Sequence, residues 1–543
     1  MLRKLISLAP RLARPSLVRP LCTSPAHIIR SRHPPLPTPL PTEGLFPFLR
    51  ALGKWHDVGD KVALRCSQND FKPITYSELD GRISAAAHQL RAMGFKQGDV
   101  LNIHLHNCEQ FIVAFFATAA LGGTASTSNP AYVARELANQ QIDSNSKLVI
   151  SSLMYADVVS KAAAESGLSE CISWIEDAGC FANAPPTTEP APALERAIDA
   201  ATDLVTLPYS SGTTGKPKGV MLTHLNMTCN VLQTQSACTV RAEDTLIGVL
   251  PLYHIYGMTV LMCYALAQQA ELVLLHKFEP EPFLEAMQAH KVSVGFLVPP
   301  ILVFMAKHPM VRDFDLTSLK SIMSGAAPLD AATQESLTHE LGATVTQGWG
   351  MTELSPIGTI GAWENPVWGS SGQLVAGTEG MIIDGDGASL PAGELGELLI
   401  RGPQVMTGYL NRPDATAETI RDDGWLCTGD VAYADAEGNL FMVDRLKELI
   451  KVKGFQVAPA ELEGLLLELP QVADAAVIGV DDERAGQRPK AFVVVREGMS
   501  LSEEGVLDAL KQSLAEYKLP RDVVFLDAIP KSPSGKILRR QLS

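Results

Sequence analysis

The first 42 residues contain no aspartate or glutamate, yet they carry Arg3, Lys4, Arg11, Arg14, Arg19, Arg30 and Arg32. Leu2, Leu5, Ile6 and Leu8 give the opening turns an apolar side. This is the composition of a mitochondrial transit peptide; a chloroplast peptide would be richer in serine, and a secretory signal needs a longer clean apolar run. The expectation is a leader over 1–42 and a matrix location, with cytoplasm or peroxisome as the alternative for an unprocessed leader. Pro34 to Pro41 is proline-dense and is expected to be extended linker.

Other absences narrow the class. No run of 18 apolar residues occurs, so no membrane-spanning helix is expected. The nine cysteines form no CxxC pair, which argues against a disulfide framework or a cysteine zinc site. Basic residues are outnumbered, and the net charge of -15 disfavours non-specific nucleic-acid binding. Beyond residue 42, 38 basic residues face 60 acidic ones, a net of -22. A phosphorylated ligand is still permitted, because a pocket sets its own local field. No internal repeat is visible.

What is present, in 543 residues with 46% hydrophobic content, is enough for two or three domains and a large core. Apolar spacing at Tyr76, Leu79, Ile83, Ala86 and Leu90 predicts a helix, and 109–121 predicts an apolar helix ending at Gly122-Gly123. Strands are predicted at 100–105, 148–152, 171–175, 203–207, 245–249, 271–275 and 292–298. This alternation predicts α/β architecture with stacked, mostly parallel sheets. Residues 179–192 are Ala/Pro-rich and predict a surface loop. After Gly369, short strands at 396–400 and 438–443 predict a small β subdomain. From about Lys447 a helix at 459–469, strands at 472–480, 491–495 and 522–526, and a helix at 501–515 predict a small α+β C-terminal domain. The expected division is leader 1–42, large domain 43–446 and small domain 447–543.

The chain is organised around Tyr209 to Val220, YSSGTTGKPKGV, with three glycines, two serines, two threonines and two lysines. A strand precedes it, and Thr223 is placed to cap a following helix. Glycines let backbone N–H groups converge, hydroxyls add donors and lysines add charge, so the loop suits phosphate oxygens. Ser210, Ser211, Gly212, Thr213, Thr214, Gly215, Lys216 and Lys218 are the candidate nucleotide contacts. The Walker pattern does not apply, because Gly215-Lys216 is followed by Pro217.

Further segments carry chemistry. His254 in PLYHIYG follows a strand and points to the crevice at the strand's C-terminal end. Ser324-Gly325-Ala326-Ala327-Pro328 is a turn of small residues that lets a flat group approach the backbone. In QGWGMTE, Trp349 between Gly348 and Gly350 can stack on a base. Asp430 in GWLCTGD can accept both hydroxyls of a ribose. Lys536 in PKSPSGKI is presented by a Ser-Gly turn, suited to stabilising charge on phosphoryl oxygens.

YSSGTTGKPKGV together with QGWGMTE resembles the signature of the adenylate-forming enzymes, and the resemblance runs from about Lys54 to Arg540. VDRLKELIKVKGFQVAPAELE and Tyr253-His254-Ile255-Tyr256 are similar to the 4-coumarate-CoA ligase-like branch. The resemblance implies ATP, Mg2+ and coenzyme A. A carboxylic acid is joined to AMP, then passed to the CoA thiol. It implies that Lys536 serves adenylation and that Lys447 is the hinge of a mobile C-terminal domain. His254 would border the acyl carboxylate, with Tyr256 a wall of the acid pocket. The Gly325 turn and the Gln347–Gly348–Trp349 segment would hold adenine. Thr352 would touch the α-phosphate, Glu353 would bind Mg2+, Asp430 would reach the ribose, and Arg445 the ribose or phosphate region. Lys451, Gln456 and Gly454 would lie near the active site and the pantetheine channel.

Two positions depart from the usual pattern: Trp349 stands where tyrosine is common, and Pro356-Ile357-Gly358 replaces a bulkier Pro-Val-Leu. With Gly350, these residues are expected to line the acid pocket, and Gly358 is expected to remove a wall and widen it toward a medium or long fatty acid. The acid is therefore left open between a 4-coumarate-like aromatic and a fatty acid. A luciferase-like monooxygenase, which shares the adenylation step, and a peptide-synthetase module joined to a carrier domain are the other readings.

Overall fold

The computed structural model describes residues 27–542 except 211–216, 330, 453–454, 483–485, 512 and 533–534. The predicted contacts Ser211 to Lys216, together with Gly454 and the leader to residue 26, therefore lie outside the described residues, as does the side chain of Gln456.

Two large sheets form the N-terminal domain. In one, the strands run in the order Gly408–Tyr409, Lys218–Thr223, Leu204–Thr206, Thr124–Thr127, Val100–His104, Ser146–Ser151 and Ile172–Trp174, with Tyr209–Ser210 paired beside Lys218–Thr223. In the other the order is Gln373–Leu374, Ile357–Ile360, Thr344–Gly350, Ser321–Ser324, Val294–Leu297, Thr245–Gly248, Glu271–Leu274, Val62–Cys66 and Ile74–Thr75. The central strands of both are parallel, from Thr344–Gly350 across to Val62–Cys66 and from Leu204–Thr206 across to Ile172–Trp174. Helices cover their faces, so these strands are continuous apolar runs such as Val294–Leu297, every residue of which is buried. Helix Glu109–Ala120 is apolar on nearly every side and is buried accordingly.

Thr223 caps helix His224–Ala237, accepting from the Asn226 N–H at 3.1 Å while Asn226 returns a bond to the Thr223 N–H at 2.9 Å. The chain reaches that cap as a strand, Lys218–Thr223, antiparallel to Leu204–Thr206. Tyr209–Ser210 pairs antiparallel with the start of the same strand, Lys218↔Ser210 and Gly219↔Tyr209.

A third, antiparallel sheet is the small β subdomain: Ile28–Arg30, Glu379–Ile383, Gly396–Arg401, Leu426–Ala434 and Leu440–Arg445. Its first strand departs from the expected leader, since Ile28 pairs with Met381 and Leu36 lies against Gly377. The folded chain therefore begins well before residue 43. Residues 179–192 form the expected surface loop, anchored by the fully buried Phe181 and packed against helix Tyr76–Ala92, where a Cβ at Gly81 would press on Thr187.

After a turn at Leu446–Leu449 comes the C-terminal sheet: Phe455–Val457, Ile450–Val452, Gly486–Val495 and Val472–Asp482, with Asp522–Phe525 parallel to Gly486–Val495. Helix Pro459–Glu468 and helix Glu503–Lys511 close its own core around Leu462, Leu466, Val477, Val493 and Val506. The second helix is shorter than the predicted 501–515.

Candidate active site

The C-terminal ends of the parallel strands converge on one cavity, where switch points of such sheets place ligands. His254, Tyr256, Gly325, Ala326, Gly348, Trp349, Gly350, Thr352, Pro356 and Ile357 line it, together with Lys536 from the C-terminal domain.

His254 sits in the turn after strand Thr245–Gly248. The chain then enters a wide π turn, Gly257–Cys263, that continues as helix to Ala267. Gly257 is required there, because a Cβ would run into the Pro251 carbonyl. The Tyr256 N–H donates to His254 Nδ1 at 3.3 Å. Burial first, and the Lys536 ammonium second, push the His254 pKa down to about 3. The ring is therefore neutral at pH 7 and keeps its proton on Nε2.

The Tyr256 phenol donates to the Met323 carbonyl at 3.4 Å. A Cβ at Gly325 would lie 2.9 Å from its hydroxyl, so the glycine makes room for the ring. Ala326 follows with φ of 72°, a left-handed conformation that turns the backbone along the cavity.

Trp349 lies between the acid side of the cavity and Asp430. Its Nε1–H donates to Asp430 Oδ2 at 2.8 Å, while Arg445 Nε stands 3.4 Å from Asp430 Oδ1. Asp430 and Arg445 are cross-strand partners, which fixes this ion pair. Burial pushes the Asp430 carboxyl up; the Arg445 charge and the indole bond pull it back.

The six-membered ring of Trp349 occupies the space beside Gly358. A Cβ there would sit 2.5 Å from the ring. This corrects the expectation that Gly358 widens the pocket: the missing side chain is replaced by indole, and Gly358 itself does not line the cavity.

Glu353 is buried, and its Oε1 receives the Ser210 hydroxyl at 3.3 Å and the Tyr409 hydroxyl at 2.7 Å. Lys218 Nζ lies 4.3 Å from the Tyr409 ring centroid, an attraction between cation and ring face. Tyr409 thus joins the phosphate-loop lysine to the acidic residue, a role the sequence reading missed. The only sequence signal was a Gly-Tyr pair, Gly408–Tyr409, with Gly408 at φ 146°. Among the described residues no group of three or more His, Cys, Asp or Glu could hold a metal ion.

Lys536 closes the cavity from the small domain. Its loop is held by a bridge between Lys531 and Ile537 and by the Lys531–Asp474 ion pair at 2.6 Å. Gly535 lies against Val298. Burial and the Arg445 charge lower the Lys536 pKa; Asp430, Glu353 and Glu448 oppose that.

Several predicted residues stay outside. Gln347 is turned into the core, where its side chain holds both the N–H and the carbonyl of Leu329 and donates to Gln334, so it braces the turn at 325–329. Ala327 does not line the cavity. Lys451 is exposed on the hairpin Ile450–Val457, opposite Gln456, and its N–H is bonded to Gln487. In this orientation of the small domain Lys536 lines the cavity and Lys451 does not. Lys447 is exposed in the turn between the two domains.

The AMP-binding enzyme family matches residues 54–410, and the AMP-binding enzyme C-terminal domain matches 461–536. The chain is 41% identical to 4-coumarate–CoA ligase 1 of Solanum tuberosum over 483 residues, 86% of this chain and 88% of that protein. It is 40% identical to 4-coumarate–CoA ligase 1 of Petroselinum crispum over 498 residues, 89% and 91% of the two chains. Among solved structures, ATP-bound MatB from Rhodopseudomonas palustris superimposes with a TM-score of 0.84 at 29% identity, covering 92% of this chain and 98% of that one. The anthranilate CoA ligase AuaEII, solved with anthranoyl-AMP, shares the fold with a TM-score of 0.85 at 24% identity, covering 93% and 97%. The chain belongs to the AMP-binding, adenylate-forming enzymes and is an AMP-forming acid–CoA ligase.

Proposed function

We propose that this ligase activates a flat aromatic acid of the 4-coumarate type with Mg-ATP and transfers it to coenzyme A. The observation that carries the reading is the indole of Trp349, which fills the space beside Gly358 and leaves the cavity a flat aromatic wall. The 4-coumarate ligases at 40% identity support the same acid class.

In the first half-reaction a carboxylate oxygen attacks the α-phosphorus, and pyrophosphate leaves. Lys536 and Lys218 supply positive charge where phosphoryl oxygens gain negative charge. Neutral His254, with Nε2–H as donor, borders the acid carboxylate without repelling Lys536. Asp430 offers its carboxylate to the ribose. Glu353 fits a Mg2+ shared with the phosphates; bound there, the ion would neutralise pyrophosphate charge. In the second half-reaction the CoA thiol attacks the acyl carbon and AMP leaves. Rotation at Lys447 would exchange the Lys536 loop for the hairpin that carries Lys451, Gln456 and Gly454.

The test is incubation of the chain from residue 27 with Mg-ATP, CoA and a panel of acids, with AMP and thioester measured by mass spectrometry. Thioester from 4-coumarate in preference to octanoate is expected. The reverse order would replace the aromatic assignment with a fatty acid, and light with luciferin and O2 but no CoA would point to a monooxygenase.

We read the basic leader as a mitochondrial address. A fluorescent protein fused to residues 1–42 is expected in the matrix; cytoplasmic or peroxisomal signal would refute this.

A further inference from the structure

Helix Pro459–Glu468 opens without a cap of its own. Its N-cap residue is Ala458, which has no side chain to accept a hydrogen bond, and Pro459 at the first position brings no N–H. The first free donor is the Ala460 N–H. It is met at 2.9 Å by Asp444 Oδ2, whose other oxygen accepts from the Arg445 N–H at 2.7 Å. A carboxylate at a helix N-terminus is favoured by both hydrogen bonding and the helix dipole.

The two partners lie on opposite sides of Lys447. Asp444 belongs to strand Leu440–Arg445 of the large domain, paired with Val431; Ala460 belongs to the small domain. Beside the cap, Leu449 and Ala458 of the small domain pack on Val431 of the large one. A serine or aspartate at position 458 would travel with the helix in every orientation. A cap supplied from across the turn is made only in some.

The cap is also connected to the catalytic lysine. One turn into the same helix, Glu463 pairs with Arg539 at 2.5 Å, and Arg539 Nε reaches Glu448 at 2.9 Å. Arg539 lies just beyond Lys536 on the same strap. Asp444, the helix, Glu463 and Arg539 thus form one continuous linkage to Lys536.

We infer that Asp444 is a positioning residue for the adenylation half-reaction: by capping helix Pro459–Glu468 from the large domain, it holds the small domain in the orientation that puts Lys536 in the cavity. Rotation at Lys447 must break this contact, whereas the Glu463–Arg539 pair moves with the small domain. The inference rests on the ligase reading and on that rotation.

The experiment separates the half-reactions in the full chain. Adenylation is followed by acid-dependent ATP–pyrophosphate exchange with 4-coumarate and with octanoate. Thioester formation is followed from supplied 4-coumaroyl-AMP or octanoyl-AMP and CoA. Asp444→Leu is expected to lower exchange about five- to tenfold, the scale of a lost cap, while thioester formation stays within about twofold of the parent. Asp444→Asn, which keeps an acceptor, is expected to restore exchange. Adding Ala458→Ser to Asp444→Leu gives the helix a local cap; thermal stability should return while exchange stays low. Recovery of both in the double variant, or equal loss in both half-reactions, would make the contact a structural cap and overturn the inference. Unchanged exchange in Asp444→Leu would overturn it as well. A parent chain active in neither half-reaction with either acid would instead overturn the ligase reading, and the inference with it.

Discussion

The indole N–H of Trp349 lies 2.8 Å from Oδ2 of Asp430, so one side chain both lines the cavity and bonds the buried carboxylate beside it. Trp349→Phe keeps a ring against Gly358 and deletes the donor. A hydrogen bond to a charged group contributes about 1.5–3 kcal/mol, so the KM for ATP should rise about tenfold or more with kcat little changed. Steady-state kinetics with ATP varied at saturating acid check this. A fall in kcat at unchanged KM would contradict it.

Gly358 and Trp349 should behave as a coupled pair. Gly358→Val places a branched side chain where the indole lies, since even a Cβ would be 2.5 Å away, and overpacking of this kind costs about 1–3 kcal/mol. The single variant should lose activity with 4-coumarate, and Trp349→Tyr should recover part of it in the double variant. A double-mutant cycle on kcat/KM checks the coupling; additive effects would sink it.

Lys536→Met should depress pyrophosphate exchange by about 100-fold or more, the scale seen when a preorganised charge-stabilising donor is removed. Thioester formation from supplied adenylate should survive. The charged ammonium is the active form and its pKa is lowered by burial. The alkaline limb of exchange should therefore fall below the 10.5 of an ordinary lysine, and Lys536→Arg should move it upward.

Buried histidines make stability pH-dependent. Burial lowers His104 and His224 to about 4 and His254 to about 3, against 6.5 in the unfolded chain. Above pH 6.5 neither state is protonated and stability is intact. As pH falls from 6.5 toward 4 the unfolded chain takes up protons that the native state refuses, at about 1.4 kcal/mol per pH unit for each histidine. Urea midpoints should drop steadily between pH 7 and 5. A flat profile would show that these rings are protonated in the native protein.

Tyr409→Phe keeps the ring under Lys218 and removes the hydroxyl from Glu353. The Mg2+ concentration for half-maximal adenylation should shift about fivefold, the effect of roughly one hydrogen bond of orientation. An unchanged Mg2+ titration would detach Tyr409 from the ion.

The parallel core was legible because strands buried on both faces are continuous apolar runs, and helices such as Tyr76–Ala92 repeat at helical spacing. The cavity was legible wherever glycine and a chemical side chain share a short motif, as in Gly348–Trp349–Gly350. Gly358 was misread because a missing side chain in sequence does not reveal which neighbour fills the room. Gln347 was misread because its place beside Trp349 says nothing of the direction of its side chain, which faces Leu329. Tyr409 works through Glu353, far along the chain, so no local pattern marks it; Asp444 stands inside VDRLKELIKVKGFQVAPAELE, but the motif does not show that its carboxylate reaches the Ala460 N–H. Lys451 depends on domain orientation, which sequence does not encode.

The strand Ile28–Arg30 has a consequence for biogenesis. It emerges first, yet its partner Glu379–Ile383 is synthesised late, and closing so long a loop is slow. Until it pairs, the edge of that sheet keeps a row of unpaired peptide groups, a template for association with other chains. Removal of residues 28–30 would make that exposure permanent.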